Sequence, residues 1–428
     1  MQNIIKNGDI RVGVIGAFRG ESFARTAEAS GMKLVAICDN FEFRMKQVSE
    51  RLNVKGYLDF DEFLRHDLDA VVVATPFHLH APFAMKAMDN GKHVLSETSC
   101  NITLAEGVEL YKKAEETGLC YMLAENYCYT RFNQEMKRLY DAGEIGAVMY
   151  AEGEYNHPME INDVMWYSPG VKHWRNNLPG CYYNTHALAP MMYITGAHPV
   201  EVSCVNVPFP DEGDGVIRKK KYGGPFVMLI KMDNNAIFRI IGGGFAGHSC
   251  WYSFHGTTGA MESTRDHGYF GSQQVRVWHE PWNLKTDQVE EQVYYPNWPT
   301  HGAKANQTGH GGGDFFVELT FAESIRNGNQ PYLNAYNGVT MSNVGILAWR
   351  SVHQNGDFIK IPDLKSEEGR RAMSGDRLCP FEGVPDSELM PLEMRCPVIF
   401  TPELKEIARV NWKRHGYTDA EIEELFEQ

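Results

Sequence analysis

In the first third of the chain, short apolar runs rich in Val, Ile and Leu alternate with stretches whose apolar positions recur every three to four residues. Residues 10–15, 33–38, 70–74, 93–95 and 120–123 read as strands, because short uninterrupted apolar runs suit strands covered on both faces. Residues 23–30, 41–52, 61–64, 82–90 and 104–117 carry the helical spacing. Strand and helix taking turns predicts β-α-β units and a doubly wound parallel sheet, an N-terminal α/β domain assigned to residues 1–128.

After Asn126 the rhythm changes. A helix over 133–141 is followed by longer alternating strands at 148–155, 199–207, 225–232, 236–241, 249–255 and 275–278, separated by Asn, Asp and Gly turns. This predicts a second, α+β domain over 129–428 with a large, mainly antiparallel open sheet. An aromatic and Gly-rich loop over 282–314 precedes helices at 315–327 and 338–353. A proline-punctuated tail over 361–402 wraps a surface before a closing amphipathic helix at 420–426.

The length of 428 residues is ample for two such domains. With 41 Lys+Arg against 55 Asp+Glu the net charge is −14, which excludes the basic footprint of a nucleic-acid or anionic-membrane binder. The basic run 218–221 reads as a solvated turn. No stretch reaches the ~18–20 apolar residues of a membrane helix, and the first residues lack the apolar core of a secretion signal, so the expected compartment is the cytoplasm. Nine scattered cysteines without a C-x-x-C pair suggest reduced thiols rather than disulfides or a zinc knuckle.

The first strand runs into Gly16-Ala17-Phe18-Arg19-Gly20 and then a helix, where a dinucleotide-binding turn belongs. Glycines there let backbone approach a pyrophosphate, and the helix N-terminus offers N–H donors. Phe18 stands in the middle glycine's place, and Gly20 comes one residue early for G-x-G-x-x-G. Asp39 ends the second strand, where a carboxylate accepts from adenosine ribose hydroxyls and disfavours a 2′-phosphate, so NAD is expected over NADP. A helix cap is the plain alternative for Asp39. The next long apolar strand empties into Thr75-Pro76-Phe77-His78-Leu79-His80 at the sheet's carboxyl edge. His78, His80 and His93 have no acidic ligand at helical spacing, and no metal is expected.

Together with Gly91-Lys92-His93-Val94-Leu95-Ser96-Glu97, these residues resemble the Gfo/Idh/MocA oxidoreductase family over most of the chain. The resemblance implies a dinucleotide-binding domain joined to a domain whose open sheet serves oligomerisation, hence a homo-oligomer, dimer or tetramer. Glu97 matches the family's glutamate, but the usual lysine and proline after it are Thr98 and Ser99. A threonine hydroxyl does not shuttle protons as a tuned lysine does. His186 falls at the family's active-site histidine, and Tyr182 stands where many members carry aspartate. The segments 183–190 (Y-N-T-H-A-L-A-P), 125–129 (E-N-Y-C-Y) and 309–314 (G-H-G-G-G-D) are similar to those of the NAD-dependent glycoside hydrolase family 109 branch.

Oxidising a secondary alcohol needs a base for the hydroxyl proton, and imidazole, with a pKa near ~6.5, suits that task. His186 is the first candidate, with Tyr129, Tyr183 and Glu97 as helpers; packing or sugar stacking is the alternative for the tyrosines. The expected cofactor contacts are Gly16, Phe18, Arg19, Gly20, Asp39, Thr75, Pro76, His80, Glu97, Asn126, Trp174 and Arg175. The expected substrate contacts are His173, Arg175, Tyr182 and His310, while Asp314 also reads as a helix cap. Trp166, Trp174, Trp251 and Tyr252 suit either a pyranose face or the core. The expected activity is an NAD(H)-dependent oxidoreductase transferring hydride to or from a secondary alcohol carbon of a sugar, glycoside or polyol. The alternatives are an NAD-dependent glycosidase that borrows the same step, and a non-catalytic sensor or scaffold in which Thr98 marks a decayed site.

Overall fold

The computed structural model describes residues 9–207, 224–265, 273–395 and 400–427. The basic run 218–221 and Cys396 lie outside them. A wholly parallel sheet takes up the N-terminal part: β1 (Ile10–Ile15), β2 (Met32–Cys38), β3 (Lys55–Tyr57), β4 (Ala70–Val73), β5 (His93–Ser96) and β6 (Tyr121–Leu123), in the order β3-β2-β1-β4-β5-β6. Strand order reverses beside β1 and β4, which leaves a crevice at their carboxyl ends, the place where such sheets receive ligands. β4 is Ala followed by three valines, and β1 is Val and Ile apart from Arg11 and Gly13, because helices cover both faces. The three-residue β3 is an addition to the five expected strands; Lys-Gly-Tyr is too short to show a period. The first helix begins at Gly20 rather than residue 23, its N–H bonded to the Gly16 carbonyl at 3.0 Å.

The second sheet has nine strands: β7 (Val148–Asn156), β8 (Pro199–Asn206), β9 (Phe226–Met232), β10 (Ile237–Gly243), β11 (Ser249–Gly256), β12 (Gly259–Ser263), β13 (Val275–His279), β14 (Glu291–Tyr294) and β15 (Ile359–Lys360). Their order is β14-β13-β12-β11-β7-β10-β9-β8-β15, antiparallel throughout except for the parallel pair β7–β10. The helix Thr185–Thr195 lies on β7, where a Cβ on Gly153 would stand 2.5 Å from the Ala187 carbonyl oxygen, so glycine sets the approach. The helix Ala335–Val352 packs against both β8 and the helix Leu104–Thr117 and joins the two halves.

Three further helices run over Ile161–Tyr167, Pro402–Arg414 and Asp419–Glu427. The proline that closes the expected tail is the first residue of a helix. Thr401 Oγ1 caps it by accepting from the Leu404 N–H, and proline fits a first turn whose N–H groups have no partner. Among the described residues no helix is long and apolar enough to cross a membrane.

Candidate active site

Gly16 closes β1 with φ +92°, and a Cβ there would stand 2.3 Å from the Ala74 carbonyl oxygen. Only glycine lets β1 and β4 end this close together. Asp39, half-buried at the end of β2, accepts from the Ala17 N–H at 2.7 Å and the Phe41 N–H at 2.8 Å. Burial raises its pKa, against the pull of those N–H groups and Arg44. The carboxylate braces the turn and keeps lone pairs for another donor.

Arg19 leaves that turn and binds two acids. Its Nε donates to Glu97 Oε1 at 2.5 Å and its Nη2 to Asp314 Oδ1 at 3.2 Å. Asn126 Nδ2 donates to Asp314 Oδ1 at 2.9 Å, and His310 Nδ1 lies 2.9 Å from Asp314 Oδ2. Against the cost of burial, the Arg19 charge holds both Glu97 and Asp314 below the ordinary carboxylate range. Five side chains from distant parts of the sequence thus fix the first turn against the β5 end and the start of the helix Gly313–Asn327.

Beside this network, Thr75 Oγ1 and Asn126 Oδ1 are buried with no hydrogen-bond partner, while the buried Thr98 hydroxyl pairs with that of Tyr183. Unpaired buried polar atoms lining a crevice mark positions for a ligand or ordered water. A cavity of about 430 Å³ adjoins the turn, lined among others by Phe18, Arg19, Arg44, Arg175 and Arg414. The glycine cradle, the braced carboxylate, the unpaired atoms and the cationic lining fit a nicotinamide dinucleotide.

The reactive group stands next to this crevice. Glu125, just after β6, is fully buried, and its two oxygens lie 2.8 and 2.9 Å from His186 Nδ1. A carboxylate only accepts, so Nδ1 carries the hydrogen and Nε2 keeps its lone pair. The Tyr183 hydroxyl, 3.1 Å away, donates to Nε2. Tyr183 ends the turn Gly180–Tyr183 and precedes His186 by three residues, which brings both side chains to one side of the helix start. Burial raises the Tyr183 pKa, and the positive Arg175 opposes it. Tyr127 and Tyr155 present their rings 4.6 and 4.5 Å from the imidazole.

Other expected residues take different places. Tyr129 is buried beside Tyr193, its ring 5.6 Å away, with Thr320 as hydroxyl partner; Tyr127, two residues earlier, faces His186 instead. Tyr182 points into the core near Arg350 and Cys379 rather than toward His186. The cause is local: within these tight turns Tyr129 faces away from the side taken by Tyr127, and Tyr182 away from that of its neighbour Tyr183. Both His80 nitrogens lie 2.8 Å from backbone carbonyls, Nδ1 from Ser99 and Nε2 from Thr75, so this side chain ties loops together. Pro76 leads into the single turn Phe77–Leu79. Trp174 stacks on Phe77 at 5.4 Å, and the Arg175 guanidinium lies 4.5 Å from the Trp174 ring centre. His173 accepts from the Arg175 N–H, and burial, with the Arg175 charge, pushes its pKa down to about 3. His310 reaches the Tyr127 ring at 6.2 Å. Trp251 lies under Arg265, and Tyr252 is a core residue.

Glu125, Tyr127 and Tyr155 are site residues that sequence reasoning did not assign. The E-N-Y-C-Y segment was the signal for the first two; for Tyr155 there was only strand alternation.

Residues 10–125 match the family model described as oxidoreductase family, NAD-binding Rossmann fold, and residues 247–369 match glycosyl hydrolase 109, C-terminal domain. Among curated proteins, a glycosyl hydrolase family 109 protein of Streptomyces filamentosus is 24% identical over 403 residues, 86% of this chain and 80% of the relative. One of Saccharopolyspora erythraea is 26% identical over 394 residues, 83% of each. Among solved structures, levoglucosan dehydrogenase in complex with NADH and levoglucosan superposes with a TM-score of 0.68 at 19% identity, covering 83% of this chain and 100% of that one. Scyllo-inositol dehydrogenase from Lactobacillus casei, with bound NAD(H) and scyllo-inositol, gives 0.65 at 17%, covering 84% and 100%. These two likenesses establish the fold.

Proposed function

From a chain that joins the NAD-binding domain of the Gfo/Idh/MocA oxidoreductases to the C-terminal domain of glycosyl hydrolase family 109, we propose an NAD(H)-dependent oxidoreductase acting on a secondary alcohol of a sugar, glycoside or polyol. Residues 1–128 hold the nucleotide and 129–428 the substrate. The line Glu125–His186–Tyr183, standing beside the Gly16 crevice, carries this reading. The Gly16 turn, Asp39, Thr75 and Asn126 hold the cofactor, with Glu97 and Asp314 fixing Arg19. When bound, NAD+ supplies the hydride acceptor.

His186 Nε2 takes the proton of the Tyr183 hydroxyl as the Tyr183 oxygen takes that of the substrate hydroxyl. Glu125 fixes the tautomer and stabilises the imidazolium that forms. Arg175 and a hydrogen bond from the Thr98 hydroxyl both favour negative charge on the Tyr183 oxygen. The half-buried Tyr155 offers its ring to a pyranose, and the fully buried Tyr127 packs the imidazole in place. His186→Ala lowers kcat for NADH formation on a sugar panel by at least ~100-fold; unchanged turnover overturns the reading.

The match of residues 247–369 favours one second reading, glycoside hydrolysis with retained cofactor, in which oxidation of a ring carbon would acidify its neighbour and let the aglycone leave, water would add to the resulting double bond, and the hydride would return to the oxidised carbon. Aglycone release without net NADH separates the two. The eight described cysteines are buried and form no disulfide, which supports a reducing cytoplasm. Exposed Met149, Val205, Leu229 and Val293 on the second sheet support a homo-oligomer.

A further inference from the structure

The C-terminal helices Pro402–Arg414 and Asp419–Glu427 do not join the main core. Leu404, Ala408, Trp412 and Ile422 form a small core of their own with Met165 of the helix Ile161–Tyr167. Two hydrogen bonds fasten the units: Trp412 Nε1 donates to the Met165 carbonyl at 2.9 Å, and His415 Nε2 lies 2.7 Å from the Trp166 carbonyl. The assembled unit faces the nucleotide crevice. Tyr417 stacks on Phe41, which follows Asp39, at 4.7 Å and 12°, and His415 meets Phe18 of the first turn at 5.4 Å. Arg414 and His415 line the same cavity as Arg19 and Arg44. Of the other arginines there, Arg19 is neutralised by Glu97 and Asp314, Arg44 donates to Glu21, and Arg175 lies over the Trp174 ring at 4.5 Å. Residues 370–428 lie beyond the segment matched by the C-terminal domain model.

We propose that this C-terminal helical unit completes the dinucleotide site in cis, with Arg414 as a contact for the anionic backbone of the cofactor and Tyr417 against Phe41 closing the adenosine end. The consequence is slow cofactor exchange. A cleft formed by the first turn and Asp39 alone is open to solvent on the side these residues cover, and a nucleotide under the unit leaves only when it lifts. The inference rests on the NAD reading of the crevice and adds what holds the cofactor between turnovers.

The test measures NADH dissociation. The full-length protein is loaded with NADH and chased with excess NAD+, and the fall in NADH fluorescence gives the rate. Arg414→Ala combined with Tyr417→Ala raises that rate by ~10-fold or more, since losing a charged contact at a binding site acts chiefly on dissociation. Arg414→Lys retains most of the slow rate. Circular dichroism melting confirms that the double variant is folded; if it is not, Arg414→Ala alone must still give faster release. A rate within ~2-fold of the parent in the folded variants overturns the proposal while leaving NAD binding intact. Calorimetry that detects no NADH binding to the parent protein overturns the nucleotide reading and this inference together.

Discussion

The Tyr252 hydroxyl donates to the backbone carbonyl of His186 at 2.5 Å. The reason lies four residues along the helix, where Pro190 has no N–H to offer that carbonyl. A proline inside a helix normally leaves a polar gap; here a strand residue fills it and so pins the residue carrying the reactive imidazole. Tyr252→Phe leaves the carbonyl buried and unpaired at a cost of ~1–3 kcal/mol. Urea unfolding midpoints with unchanged slopes check the loss, and kcat falls with it because His186 is no longer held in register.

Glu125 has no exposure and no role that does not pass through its two neighbours, His186 and the Tyr127 N–H. Glu125→Ala frees the imidazole to take either tautomer and removes the charge that stabilises its protonated form. The expected result is a kcat lower by ~100-fold or more with KM changed far less. Steady-state kinetics over a range of alcohol concentrations decide it; a proportional rise in KM at constant kcat points instead to a lost binding contact.

Legibility in the sequence follows the range of the interactions. β4 is readable because burial on both faces writes an unbroken apolar run, and β1 because only Arg11 interrupts one. β14 is not, since all but one of its residues are exposed and its pairing partner decides its existence. The Gly16 turn, Asp39 and His186 were legible as local patterns. The bond from Glu125 to His186 spans 61 positions and that from Arg19 to Asp314 spans 295, so no local pattern carries either. Tyr127 and Tyr129 look alike in sequence, and only the turn Asn126–Tyr129 assigns one to the imidazole and the other to the core.

Asp39 makes a prediction about cofactor choice. Its oxygens already accept from Ala17 and Phe41, so the carboxylate is held in place where a ribose hydroxyl finds an acceptor and a 2′-phosphate finds like charge. Asp39→Ala weakens NAD binding by ~10-fold and narrows the gap to NADP. Titration calorimetry with each nucleotide measures both, and an unchanged NAD to NADP ratio removes Asp39 from the ribose contact.

Glu318 gives the pH dependence. It is fully buried in the helix Gly313–Asn327, accepts from Ser30 Oγ at 2.9 Å, and its other oxygen has no partner. Burial raises its pKa well above the ordinary value and Asp314 adds to the rise, against the Ser30 hydrogen bond and the Arg19 charge. The folded chain therefore keeps a proton that the unfolded chain gives up above pH ~4.3. Stability falls as pH climbs from that point toward the folded pKa, because unfolding releases the proton. Glu318→Gln keeps an acceptor for Ser30 and has no proton to lose. The variant gains stability over the parent between about pH 5 and about pH 8. Urea midpoints for both proteins at the two ends of that range test it; parallel midpoints mean that Glu318 is ionised in the folded state.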